Sequence, residues 1–184
     1  GGEQMEFTIA VSEVHYQMKR YEEALGVLDS AYELDKIQTP QFQNQCQKID
    51  VRLNGLDKNQ NLYSVSLNTI RSGNTISDEE QQSVQHTKDE IVDVLQQNKL
   101  YDEEIQLRKQ SIEFNTELNN LAEVSKDRVA ISKSLDAKGE TSAAIKAAEE
   151  AARIATAIHN PLTEASAFLA LADLYEKNGK ASKA

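Results

Sequence analysis

The densest group of side chains capable of chemistry is His86, Asp89, Glu90 and Asp93, spaced three and four apart and so on one face of a single helix. An imidazole and three carboxylates could hold a divalent cation. No second histidine stands beside them, and one helix face rarely closes a coordination shell, so the pattern reads as a solvated acidic face and no metal is assigned. The string His86-Thr87-Lys88-Asp89-Glu90 lacks the flanking pattern of a phospho-accepting histidine. His15, beside Tyr16, and His159, just before Asn160-Pro161, read as packing and turn residues. Cys46 lies among Gln43, Asn44, Gln45 and Gln47 with only Lys48 as a basic neighbour, which describes an inert thiol. Gly179-Lys180-Ala181-Ser182 lacks both the upstream glycine of a phosphate-binding loop and a hydroxyl directly after the lysine. No nucleophile, base and orienting group can be assembled from spacing. The expectation is a chain that is not an enzyme and uses no cofactor.

The elements that carry these residues follow from composition. The 184 residues are 39% hydrophobic and 27% charged, but only 5% aromatic, with no Trp. The core must therefore be built from Leu, Ile, Val and Ala. Two prolines and seven glycines are too few for a fold of many turns, which argues for helices. A net charge of -10 and a pI near 4.8 repel phosphate backbones and anionic lipid, so neither nucleic acid nor a membrane surface is an expected partner. No apolar run approaches the roughly 18 residues of a membrane span. The chain opens Gly1-Gly2-Glu3 without methionine or a signal-like stretch and reads as a fragment of a longer protein. That leaves the compartment unknown, with the cytoplasm favoured and a periplasmic sensor segment as the alternative. The lone Cys46 makes no internal disulfide and does not fix it either.

Self-similarity organises the rest. Tyr21-Glu22-Glu23-Ala24-Leu25, Asn61-Leu62-Tyr63-Ser64-Val65, Tyr101-Asp102-Glu103-Glu104-Ile105 and Thr141-Ser142-Ala143-Ala144-Ile145 each open an apolar helical stripe, giving a period of about 40 residues. The first half of each copy is helical as well. Ile9, Val11, Val14 and Met18 are expected on one buried stripe, Ile91, Val92, Leu95 and Leu100 on another, and Phe168, Leu171, Leu174 and Tyr175 on a third. Thr39-Pro40 and Asn160-Pro161 place a capping side chain before proline, and Ser77-Asp78-Glu79-Glu80 reads as a capping box. Gly139 and Gly179 stand where a helix must stop and turn. The expected pairs are 5–19 with 22–36, 40–55 with 60–72, 79–98 with 102–116, and 119–138 with 142–158, followed by a helix at 162–178. A single domain over 1–184 would thus hold copies at 5–36, 40–72, 79–116 and 119–158 and a partial fifth at 162–184.

These residues resemble the tetratricopeptide repeats. The clearest likeness is Ala167-Phe168-Leu169-Ala170-Leu171-Ala172-Asp173-Leu174-Tyr175 followed by Gly179, with Tyr21, Ala24, Leu28 and Ala31 matching the second helix. Ala24 and Ala144 would be the small residues that let paired helices approach. Copy two departs, with Lys58-Asn59-Gln60-Asn61 at the turn and Ser64 at the small position, and copy three departs with Glu104 there. The resemblance implies an all-α fold, a right-handed α-solenoid of antiparallel helix pairs with a concave groove. The longer period is similar to repeats in bacterial signalling proteins.

The family lines its groove with the first helix of each pair. Carried over, this gives Glu13, Tyr16 and Gln17, then His86, Asp89, Asp93 and Gln96, then Lys126 and Lys133, and Asp173 on the last helix. Acidic Glu13, Asp89 and Asp93 disfavour a clamp for a terminal carboxylate and point to a basic or mixed-charge peptide, with Lys126 and Lys133 as a local exception. The implied function is a non-enzymatic scaffold that binds a protein or peptide segment. The alternative is a sensory segment of a larger signal-transduction protein, such as a histidine kinase, diguanylate cyclase or transcription regulator. Self-association is expected through the last helix, where Phe168, Leu171 and Leu174 would lack a covering partner.

Overall fold

The computed structural model describes residues 2–35, 39–50, 52 and 56–179 and folds them into α-helices joined by tight turns, with no strand among the described residues. The helices are α1 (Gly2–Gln17), α2 (Tyr21–Asp35), α3 (Pro40–Asp50), α4 (Leu56–Arg71), α5 (Asp78–Gln97), α6 (Tyr101–Glu117), α7 (Leu121–Ala137), α8 (Thr141–Ala157) and α9 (Pro161–Lys177). Every expected helix is present. The expected end of the third, at 55, falls where 51 and 53–55 lie outside the described residues.

Helix starts follow the capping chemistry of the sequence. Thr39 Oγ1 accepts from the Phe42 amide, Ser77 Oγ from that of Glu80 and Asn160 Oδ1 from that of Thr163, each at 3.1 Å. Each cap satisfies an amide that the helix itself leaves unpaired, a contribution of about 1 kcal/mol.

Helix ends show a device that sequence reading finds only in part. Backbone with positive φ recurs at Lys19, Gly73, Lys99, Asn119, Gly139, His159 and Gly179, the last five spaced 20 residues apart. Each ends a helix, its amide donating to the carbonyl three residues back. At Gly139 the amide donates to the Asp136 carbonyl and that of Glu140 to the Leu135 carbonyl, both at 2.9 Å, which closes a Schellman motif. From α6 onward the structural unit is therefore a helix plus turn of 20 residues, half the sequence period. Four of the seven turns put a side chain where glycine is preferred, at about 1–2 kcal/mol each. Their sequence signal is correspondingly faint.

The chain divides into two compact units, 1–60 and 61–184. In the first, α1, α2 and α3 touch one another around Met5, Tyr16, Ala24, Leu28, Phe42 and Ile49. The buried face of α1 is not the expected one. Met5, Ser12 and Tyr16 point inward, whereas Val14 and Met18 are exposed. Spacings of two, three and four in the expected stripe mix two faces of the helix. The true stripe hides a polar residue, Ser12, whose Oγ donates to the Ala24 carbonyl at 2.9 Å. That bond lets a hydroxyl stand in the core at little cost.

In the second unit α5 to α9 stack in sequence, each on the next, with α7 also against α9. This is the neighbour-on-neighbour stacking of an α-solenoid. α4 joins it from residue 61 onward: the Tyr63 ring lies 5.4 Å from that of Phe114, and Arg71 pairs with Glu113 and Glu117 of α6. The expected second copy, 40–72, thus divides between the two units. Close approach around α8 depends on small residues, since Ala144, Ala148, Ala151 and Ala155 are wholly buried. Ser125 of α7 donates to the Ala151 carbonyl at 2.9 Å. The end of α9 corrects another expectation. Leu174 is buried against Ala144, Ile145 and Ala148, Leu171 is partly buried, and the exposed apolar residues are Leu162, Phe168 and Leu169. The α8 face already covers Leu174 and part of Leu171, whereas Phe168 is exposed as expected.

Candidate functional site

Side chains from α5, α6, α7 and α9 converge on a pocket of about 410 Å³ in the second unit. The expected Gln96, Lys126 and Lys133 line it, together with Tyr101, Glu104, Arg108 and the apolar floor Val129 and Ala130. Lys126, Val129, Ala130 and Lys133 share one face of α7 because they stand three, four and seven residues apart.

A buried charge network runs inward from the lining residues Glu104 and Arg108. Lys88 Nζ stands 2.6 Å from Asp127 Oδ1, with 3% and 1% of the two side chains exposed. Asp127 also accepts from Arg108 at 2.9 Å and from Ser111 at 2.6 Å. Arg108 donates in addition to Glu104 at 2.9 Å, and Gln96 to the same carboxylate at 3.0 Å. Two cations and two carboxylates cancel, and their hydrogen bonds offset the cost of taking them from water. Glu104, which replaces the small residue of the repeat pattern, is thereby buried without an unpaired charge.

The rim is different. Lys126 pairs with Glu123 at 2.6 Å one turn away, with both side chains partly in solvent. Such a pair contributes only about 0.2–1 kcal/mol. Lys133 makes no ion pair among the described residues. The pocket therefore carries a surplus of positive charge, although the chain as a whole is acidic.

Other expected site residues lie elsewhere. Asp173 lines a smaller neighbouring cavity of about 70 Å³ that shares Lys133. His86, Asp89 and Asp93 are exposed on α5 outside the pocket lining. His86 Nε2 is 3.4 Å from Glu90, Gln85 donates to Asp89 at 3.0 Å, and no metal-holding group occurs among the described residues. In the first unit Tyr16 is buried, its ring under Lys48 Nζ at 4.1 Å and edge-on to Tyr21. It packs the core and is not presented to a ligand. Glu13 accepts from Gln17 at 2.6 Å, Gln45 at 2.9 Å and Lys48 at 2.8 Å. Burial alone would raise its pKa, but these hydrogen bonds and the Lys48 charge outweigh burial and hold the carboxyl below its ordinary value. Cys46 is pushed the other way, first by burial and then by the Asp29 carboxylate, so the thiolate is scarce.

Sequence reading assigns no site role to Arg108, Lys88 and Asp127, and notes Glu104 only as a departure from the repeat pattern. A signal for them exists. Lys88 continues the stripe of Val84, Val92 and Leu95, and Asp127 that of Val124 and Ile131, so opposite charges sit on two core faces.

No family model and no curated protein matches the chain. Solved structures similar to it are those of a Podosopora anserina kinesin light chain with nearly identical TPR-like repeats, at 14% identity and a TM-score of 0.47, covering 100% of this chain and 90% of that one. A single-substitution variant of that protein gives the same identity and score over 98% and 89% of the two chains. The all-α fold of the described residues rests on the helix stacking itself.

Proposed function

We propose that the chain is a non-enzymatic interaction module that binds a segment of a partner protein along α5, α7 and α9, the helices that the tetratricopeptide resemblance places on a concave groove. The observation that carries this reading is the convergence of Gln96, Lys126, Lys133 and Ser166 from those three alternating helices on one pocket. Ammonium, amide and hydroxyl groups surround an apolar floor there, the mixture with which protein surfaces hold peptide segments. Asp89 and Asp93, exposed on α5 without an ion pair among the described residues, support a basic stretch in the same partner, so the segment carries mixed charge. Self-association through α9 would use Leu162, Phe168 and Leu169.

Selection from a random-peptide display library on the full chain tests the proposal. Saturable binders weakened by Asp89→Lys/Asp93→Lys are the expected result. Binders indifferent to that change remove the basic stretch, and the absence of any saturable binder removes the module.

A further inference from the structure

We propose that the pocket between α5, α6, α7 and α9 takes an acidic stretch of the partner, with two carboxylates straddling two apolar residues. The inference rests on the reading above and adds the chemistry of the occupant. Charge balance comes first. The buried Lys88, Arg108, Asp127 and Glu104 neutralise one another, which leaves the pocket's surplus on Lys126 and Lys133. Lys133 has no ion pair among the described residues. Lys126 holds only the half-buried Glu123 from an exposed position, a contact weak enough for a ligand carboxylate to replace.

Spacing then fixes the pattern. Seven residues separate the two lysines, two helical turns or about 10 Å along the axis. Val129 and Ala130 lie between them on the pocket floor. A compact anion such as phosphate would leave that apolar floor bare. An acidic–apolar–acidic stretch covers it and meets both ammonium groups. A pocket of about 410 Å³ accommodates a few side chains and not a whole helix. Arg108 in the lining is already fixed by Glu104 and Asp127, so it adds little ordering cost on binding.

The probe is a fluorescein-labelled, amide-capped peptide with two glutamates flanking alanine and leucine, and its lysine counterpart. Capping both ends removes any terminal carboxylate from the comparison. The full chain is expected to bind the glutamate peptide with an affinity that falls as salt rises, and to show amide shifts at Val129 and Ala130. Lys126→Glu/Lys133→Glu should weaken that binding by about tenfold or more, as reversal of contacting charges does. Both lysines are exposed, and an unchanged circular dichroism spectrum verifies the fold of the variant. An unchanged affinity in the variant overturns the proposal. So does shifting of Val129 and Ala130 by the lysine peptide, failure of the glutamate peptide to bind, or its displacement by millimolar phosphate at fixed ionic strength, which would mark a small-anion site. If display-selected peptides still shift the α5, α7 and α9 amides, only the acidic occupant fails. If no peptide shifts them, the interaction reading fails with it.

Discussion

Lys88 Nζ and Asp127 Oδ1, on α5 and α7, meet at 2.6 Å in a site from which solvent is almost wholly excluded. From α6, Arg108 and Ser111 donate to the same carboxylate. Three helices of the second unit are therefore joined by one buried group, which Arg108 of the pocket lining contacts directly.

Removing that group should be costly. Asp127→Ala leaves Lys88 buried without a counter-charge, and the expected loss of stability is about 3–5 kcal/mol. Lys88→Met/Asp127→Leu removes both charges together and should lose less than the single change. Urea unfolding of the wild type, both single variants and the double variant measures the coupling. Additive losses would show that the pair does not act as a unit.

The first unit should show a pH dependence of definite sign. Glu13 has its pKa lowered in the folded chain, so it contributes stability above the ordinary carboxylate range and loses it as pH falls through the lower folded value. A carbon-13 titration of the Glu13 carboxyl should place its midpoint below the ordinary glutamate value, and Lys48→Met should move it upward. A Glu13 midpoint at or above the ordinary value would contradict the contacts described.

Turn conformation offers a third measurement. At Gly139, with φ at 83°, an added Cβ would meet nothing within 4 Å, so Gly139→Ala pays only for the left-handed backbone. The expected cost is about 1 kcal/mol. Lys99→Gly, at a φ of 53° in the equivalent turn, should gain a similar or smaller amount. Thermal unfolding of the two variants should shift in opposite directions.

Much of the architecture is legible in the sequence, for identifiable reasons. Thr39, Ser77 and Asn160 announce helix starts because a capping oxygen needs a particular residue type at one position. The repeat period is legible because stacking demands apolar groups at fixed intervals. What stays hidden is chosen by tertiary context. Val14 and Met18 are as apolar as the residues that α1 actually buries, and only the approach of α2 and α3 decides between the faces. Lys19, Lys99, Asn119 and His159 adopt positive φ because the stacking requires a turn there. The pocket shows the same limit. Lys126 and Lys133 are visible as an exception to an acidic face, whereas the cancellation of Lys88 and Arg108 by Asp127 and Glu104, which turns that exception into the pocket's net charge, exists only once three helices are packed.

The most direct test of the account is to follow backbone amide shifts of the full chain while a display-selected peptide is titrated in. Binding of a partner segment predicts saturable changes clustered at Gln96, Lys126, Val129, Ala130, Lys133 and Ser166. Changes confined to the opposite faces of these helices, or to the first unit, would contradict it.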